Sequence, residues 1–598
     1  MKKRSVYWVW EFLKGTKAAF LIGIASTLIT ALTGMLSPQI IRLSVDQIIL
    51  GEPTDDVGIN SFLESFGGAA YLKENLWIPA LILLAVAAVA FLTNYLYRVS
   101  NTYGAETLTK NMREKLFDRV SHLPFSWHMK NHTGDIIQRS TSDVETVKNF
   151  VSEQLTGIFR IIIMVVMSLS FMFSMNWKMA LIAASCMPLI LIYSLVFHKK
   201  IKTAFTECDE SEGKLSAMAQ ENLTGVRVVR AFGREGYEKD KFVKYDRFYT
   251  GLWTKLAKIM ARFWASNDII TGLEILIVMV SGAVFTVNGE LSVGEYIAFI
   301  SYNEMLLWPI RMLGRMLSEM SKAGVSLNRI VYIMDSEPER DKEGAGECDM
   351  TGDIAFEHVN FAYENCPELL HDVSFRVKAG TTVGIMGGTG SGKSTLMLLL
   401  DKVYDLEDPD SKITVGGVDI RDVRTEYLRS NIGIVLQEPY LFSRTLAENI
   451  GIKREGTTLE EIREAAKAAA LDETIESFTD GYDTFVGERG VTLSGGQKQR
   501  TAIARALTGN TPVLIFDDSL SAVDTETDAK IRRSLEKKFG TATVFLISHR
   551  ITTLKKADLI LVLDHGTIKE SGTHEELVAQ GGIYAEVYRA QTDGVDEL

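Results

Sequence analysis

Six apolar runs, each close to the ~20 residues with which a helix crosses a bilayer, fill the first half of this 598-residue chain. They fall at 18–43, 76–98, 158–175, 179–198, 264–288 and 293–318. Backbone in hydrocarbon has no water to bond to, so runs of this length point to helices. The third and fourth are separated only by Asn176-Trp177-Lys178, which predicts a tight hairpin at one membrane surface. Pro38, Pro79, Pro188 and Pro309 lie in or beside the runs, where membrane helices tolerate proline as a kink. The rest of the chain is of another kind. Hydrophobic residues make up 46% and charged residues 23%, a balance between that of a soluble enzyme and that of a membrane protein. A chain this long exceeds one core and calls for two or more domains.

Charge orients the runs. The segment 44–75 carries Asp46, Glu52, Asp55, Asp56, Glu64 and Glu74 against Lys73 alone, whereas 99–157 and 199–262 are rich in Lys and Arg (Lys110, Arg113, Lys115, Arg119). Cytoplasmic loops collect positive charge, so the long basic loops are expected inside and the acidic one outside. Their helical patterning predicts that the membrane helices extend well into the cytoplasm. The basic Met1-Lys2-Lys3-Arg4 is followed by no small-residue cleavage site, and no removable targeting peptide is expected. Val6–Phe20 mixes Tyr7, Trp8, Trp10 and Phe12 with Lys14 and Lys17, which suits a helix at the membrane surface. Asp268 and Glu274 in the fifth run and Glu304 in the sixth are costly there unless paired or wet. They line a polar cavity for cationic or amphipathic cargo, make helix–helix contacts, or sit near the interface; the residues leave all three open.

Near residue 325 the apolar runs stop. Asp335–Met350 is charged and Gly-containing, as a linker is, and from Gly352 short β-patterns (Ile354-Ala355-Phe356, Val373-Ser374-Phe375) alternate with helical ones. The expected division is 1–325 for six membrane helices, 326–351 for the linker and 352–598 for an α/β domain. Inside that domain Gly387–Ser394 reads GGTGSGKS and fits G-x-x-x-x-G-K-[ST]. A β-like run, Thr381–Met386, precedes it and a helix-forming run, Thr395–Leu400, follows. Such a strand–loop–helix aims backbone N–H groups and a helix's positive end at a phosphate chain. Gly387, Gly388, Thr389, Gly390, Ser391, Gly392, Lys393, Ser394 and Thr395 are its candidate residues, with Lys393 at the β- and γ-phosphates and the Ser394 hydroxyl on Mg²⁺. A net charge of −12 argues against a nucleic-acid surface. Cys186, Cys208, Cys348 and Cys366 have neither disulfide-framework nor zinc spacing.

Further motifs follow in order: Phe361-Ala362-Tyr363; Gln437; Gly487-Glu488-Arg489-Gly490; Leu493-Ser494-Gly495-Gly496-Gln497; Val513-Leu514-Ile515-Phe516-Asp517; Ser521-Ala522-Val523-Asp524; and Ile547-Ser548-His549-Arg550. With them the chain resembles an ATP-binding cassette (ABC) transporter over almost its whole length, specifically an exporter-type half-transporter with six spans ahead of one nucleotide-binding domain. The resemblance implies ATP as substrate and Mg²⁺ as its metal. It implies that Tyr363 stacks on adenine, that Gln437 forms the Q-loop beside Mg²⁺, and that Asp517 ends the Walker B strand as a Mg²⁺ ligand. Ser521, Ala522 and Asp524 would form the D-loop, His549 the switch, and Leu493, Ser494, Gly495, Gly496 and Gln497 the signature that closes on the partner's ATP. Gly487–Gly490 resembles the exporter-specific loop. Phe125–Thr133 and Leu223–Phe232 take the places of the inner-loop helices that dock on nucleotide domains.

One departure matters. The family usually places glutamate after the Walker B aspartate to polarise water; here the residue is Asp518, one methylene shorter. A base must sit ~2.6–3.2 Å from its proton, and a misplacement near 1 Å costs on the order of 10²-fold. The site built on Lys393 is therefore expected to bind ATP and hydrolyse it slowly. With its signature intact, the chain resembles the subunit of a heterodimeric exporter that completes a competent site on its partner. His549 keeps a homodimer with two slow sites in play. The reading is ATP-driven export of amphipathic, drug-like, lipid or peptide cargo across the cytoplasmic membrane, with the N-terminus and nucleotide domain inside. A lipid flippase and an ATP-gated, non-transporting membrane protein are the alternatives.

Overall fold

The computed structural model describes residues 2–52, 61, 63–509, 511–519, 525–538 and 542–592. The chain divides into two compact units, one of Met1–His122 with Asn131–Glu337, the other of Leu123–Lys130 with Pro338–Leu598.

The first unit is helical throughout. After α1 (Lys2–Phe12) come α2 (Lys17–Leu43), prolonged by a π-helical turn to Leu50, and α3 (Trp77–Ser121). The short α4 (Phe125–Lys130) belongs to the second unit. Then follow α5 (Thr133–Met175), which includes two π-helical stretches, α6 (Trp177–Thr224), the short α7 (Val226–Ala231), α8 (Glu235–Val287) and α9 (Val293–Asp335). Among the described residues five helices are long and apolar enough to span a membrane: those at Lys17–Leu50, Trp77–Ser121, Thr133–Met175, Trp177–Thr224 and Glu235–Val287. The sixth expected run, 293–318, is helical within α9, but Glu295, Asn303 and Glu304 keep it below that composition. Helices of 45, 48 and 53 residues far exceed the ~20 that cross a bilayer, so the inner loops are continuations of the spans.

Side-chain periodicity decides which faces pack. On α8 the buried residues are Phe263, Asn267, Thr271, Glu274, Val278 and Gly282, one stripe at three- and four-residue steps. This stripe joins a core of Met35, Met172, Met179, Ala183, Ile190, Phe299 and Leu306. Leu81, Leu84, Phe91 and Leu92 of α3 point outward, as a lipid-facing surface requires. The Asn176 hairpin closes as its spacing predicts: the Asn176 side chain accepts from the N–H groups of Lys178 and Met179 and caps α6. At the same end Lys178 pairs with Glu290 at 2.8 Å, and Arg42 with Glu295 at 2.9 Å. The aromatic N-terminal stretch splits into two helices. Its Phe12 is fully buried, Trp8 donates to Asp335 at 2.8 Å, and Glu11 binds Lys115 at 2.8 Å, so α1 is tied into the bundle.

Residues 326–335, read as linker, are the last turns of α9, because Ile330, Val331, Ile333 and Met334 are apolar and buried. From Pro338 the chain runs on the second unit, where Glu339 holds Arg429 at 2.7 Å and Asp341 accepts from the Thr425 N–H at 2.9 Å. That unit contains a four-stranded sheet ordered β2-β1-β4-β5 and a six-stranded sheet ordered β10-β9-β3-β8-β7-β6. The strands are β1 (Ile354–Ala362), β2 (Glu368–Val377), β3 (Thr382–Gly387), β4 (Lys412–Val415), β5 (Val418–Asp419), β6 (Ile432–Val435), β7 (Val513–Asp517), β8 (Thr543–Ile547), β9 (Leu559–Asp564) and β10 (Thr567–Gly572). Strands β9, β3, β8, β7 and β6 run parallel and are buried on both faces. Their carboxyl ends form one edge, where open α/β sheets bind ligands.

Candidate functional site

That edge gathers the loops after β3, β7 and β8. The loop after β3 carries the phosphate motif into α10 (Lys393–Leu400). Two glycines are required by space. A Cβ on Gly387 would lie 2.2 Å from the Leu563 carbonyl oxygen, and one on Gly392, at φ +97°, would lie 2.4 Å from a Leu370 methyl. Gly388 and Gly390 face open space. The Lys393 ammonium folds back on the loop and donates to the carbonyls of Gly387 at 2.9 Å and Gly388 at 2.7 Å. Burial pulls its pKa below the ordinary lysine value, against the pull of Asp517 and Asp518. The Ser391 hydroxyl is buried with no partner, an unspent group inside the loop. Thr389 lies in the turn of the loop, and Thr395 is buried in the first turn of α10.

Asp517 ends β7 and is buried; burial raises its pKa and a bond from the Ser394 hydroxyl lowers it. Ser394 and Asp517 therefore offer adjacent hard oxygens, a donor set that suits Mg²⁺, which takes few protein ligands and completes its shell with phosphate and water. Asp518 follows in the left-handed region, φ +43°, and its N–H donates to the Ile547 carbonyl at 2.9 Å. Its backbone is thus tied to the end of β8. His549, just beyond β8, is exposed, and its carbonyl accepts from Gln591 at 2.8 Å. Gln437 is also exposed, and its carbonyl accepts from Gln499 at 3.3 Å.

Tyr363 follows β1, and its hydroxyl bonds Thr395 at 2.8 Å. Its ring meets Tyr404 edge-on at 5.2 Å, and Tyr404 meets Phe125 of α4 at 5.5 Å. An unbroken aromatic line thus leads from α4 to the helix that opens with the phosphate loop. Lys130 of α4 is also ion-paired with Glu364. Phe125 opens the first inner-loop candidate, whereas Tyr404 has no motif of its own and only the fold reveals its place. The second inner-loop candidate, Leu223–Phe232, contains α7 and leaves Leu223, Val228 and Phe232 exposed.

The segment Leu493–Gln497 has a local cause. Leu493 is buried as an anchor, and Ser494 is the N-cap of α11 (Gly495–Leu507). Its hydroxyl accepts from the Gln497 N–H at 3.3 Å while the Gln497 side chain accepts from the Ser494 N–H at 2.8 Å. This is a capping box, S-x-x-Q, legible in the sequence as such. Gly495 and Gly496 add no side chain, so the exposed start of α11 leaves its N–H groups approachable. Within 487–490, Arg489 takes the left-handed region at φ +53°. Ser521, Ala522 and Asp524 lie outside the described residues.

The intramembrane carboxylates do not form one group. Glu274 is buried, and Asn303 donates to it at 3.0 Å. Asp268 is largely exposed and accepts from Arg311 at 2.6 Å. Glu304 is exposed on α9.

Residues 20–310 match the family model of the ABC transporter transmembrane region, and residues 370–521 match the ABC transporter family model. YwjA of Bacillus subtilis (strain 168), an ABC transporter ATP-binding protein, is 35% identical over 514 residues, 85% of this chain and 88% of its own. YgaD of the same organism, named as a candidate multidrug export ATP-binding/permease protein, is 33% identical over 597 residues, 98% and 99% of the two chains. The ATP-dependent lipid A-core flippase of Desulfotalea psychrophila is 34% identical over 86% of this chain and 90% of its own. A bacterial Atm1-family ABC exporter with ATP bound shares the fold at TM-score 0.80 and 27% identity, over 96% of this chain and 99% of that one. Membrane helices fused to a two-sheet phosphate-loop domain define an ATPase coupled to transport. The chain belongs to the ABC transporter family and is built as an exporter, with its transmembrane and ATP-binding parts in one polypeptide.

Proposed function

We propose that this chain is one half of a heterodimeric exporter of amphipathic compounds, and that its own phosphate-loop site binds ATP and turns it over slowly. The observation that carries this reading is Asp518. Its backbone is fixed by the bond to Ile547, so the missing methylene cannot be recovered by moving the main chain forward. The water-activating carboxylate therefore stands back from the γ-phosphate, at a cost on the order of 10²-fold in rate. Lys393 and the loop N–H groups hold the phosphates, Tyr363 stacks on adenine, and Ser394 and Asp517 hold Mg²⁺, with Gln437 beside them. Bound there, the metal supplies charge stabilisation to the phosphates. The intact Ser494–Gln497 cap closes on the ATP of a partner subunit that has the glutamate.

Residues 352–598 then form the motor and 1–325 the path, in the cytoplasmic membrane with both N-terminus and motor inside. Cargo is drug-like, in keeping with the name of YgaD. A second reading, a homodimer or a lipid flippase, has its own support in the lipid A-core flippase relatives and in the retained His549.

ATPase of the purified chain, alone and mixed with a half-transporter carrying the glutamate, tests the proposal. The chain alone should be slow, Asp518→Glu should speed it at least tenfold, and the mixture should exceed the sum of its parts. Fast turnover by the chain alone, abolished by Asp518→Asn, would sink the heterodimer.

A further inference from the structure

We infer that Glu274 is a proton-binding site inside the membrane domain, protonated in the conformation described here and exchanging its proton with water when α8 and α9 rearrange. It rests on two buried, unpartnered acceptors of one bonded pair. One Glu274 carboxylate oxygen, Oε2, accepts from the Asn303 amide at 3.0 Å. The other, Oε1, is buried with no partner, and so is the Asn303 carbonyl oxygen, Oδ1. The Thr271 hydroxyl, one turn before Glu274 on the same buried stripe, makes no bond to Oε1 and so does not supply the missing donor. An ionised glutamate would leave two oxygens of one contact facing the core as acceptors without a donor, which interiors rarely tolerate. A proton on Oε1 turns that oxygen into a donor for Oδ1 of the same Asn303 whose amide already bonds Oε2. The acid and the amide are then matched, each giving one bond and taking one.

Competing ways of meeting the need are weaker. The ionisable residues flanking Asn303 along α9 are Tyr302, Glu304 and Arg311; those on the adjoining stretch of α6 are Cys186 and Tyr193, and on α8 itself Asp268. Tyr302 is committed to the Met35 carbonyl at 2.8 Å, Tyr193 to Ser266, and Arg311 to Asp268, while Glu304 is exposed and Cys186 half-buried. No cation is ion-paired with Glu274 among the described residues. A cargo ammonium or a hydrated ion would need room, yet the unpartnered oxygens are sealed and the surrounding core is filled by Met179, Met187, Ile190, Val278 and Leu306. A proton needs none. The balance is simple: the carboxylate takes one proton from water, its charge falls by one, and the same proton leaves to water on rehydration.

The holding of the proton stands on the geometry alone; its exchange during turnover rests on the exporter reading. The two are read separately. In the full chain, in nanodiscs at pH 7, infrared spectroscopy should give a neutral-acid carbonyl band that disappears in Glu274→Gln, an isostere of the neutral form that keeps the fold. Absence of any such band, or a spectrum in this region that Glu274→Gln leaves unchanged, overturns the site. Dye transport by vesicles with the complete exporter, followed from pH 6 to pH 9, should fall several-fold at one end for the natural chain and flatten in Glu274→Gln. Superimposable profiles overturn the exchange and leave the infrared result to judge the site.

Discussion

At the residue scale the nucleotide domain is governed by how little room its loop has. Gly387 has a carbonyl oxygen 2.2 Å from where a Cβ would stand, whereas Gly388 has nothing within 4 Å. Gly387→Ala should therefore push β3 from β9 and weaken binding of a fluorescent ATP analogue at least tenfold, with helical circular dichroism unchanged, while Gly388→Ala should bind normally. Equal behaviour of the two would show that loop crowding does not set affinity. The same scale marks what a sequence carries. The identity and order of Lys393, Asp517 and His549 were readable because each sits in a local string. The hydroxyl bond from Tyr363 to Thr395 and the ring of Tyr404 were not, because they join residues that only the fold brings together.

At the element scale the helices obeyed length and hydropathy, which are properties of one stretch at a time and so survive without a structure. Long-range packing did not reveal itself that way. The aromatic residues of α1 suit a membrane surface, and no local pattern announces that Phe12, Trp8 and Glu11 also find partners on two distant helices. The linker looked longer than it is because charge in 335–350 hides the buried apolar end of α9. The S-x-x-Q box is local enough to be legible in the sequence, where it doubles as the signature. The hairpin expected from the spacing is closed by a cap that the spacing does not show, one Asn176 side chain satisfying two N–H groups. Asn176→Ala should cost ~0.5–2 kcal/mol, seen as a lowered unfolding midpoint of the detergent-solubilised chain. Asn176→Asp should retain most of it; a neutral Ala variant would mean the hairpin is held by Lys178–Glu290 instead.

At the scale of the whole molecule, ties between distant segments set how the chain responds to its medium. Glu11 is held down to about 2 by bonds from Lys115 and Lys14. Its folded value lies below the ordinary 4.5, so this tie contributes fully above pH 4.5 and is lost as pH falls through about 2. Hydrogen exchange of α1 should accelerate over that window, and Glu11→Gln should show the fast exchange already at pH 7; protection indifferent to both would deny the tie any weight. The cap on α11 has a consequence of another sort, one of timing. Because Gln497 has already settled the rotamer of Ser494, the signature has no local search left when a second nucleotide domain arrives. Closure of two such domains should then be limited by how fast they meet, and the folding of a single chain has done the slow part in advance.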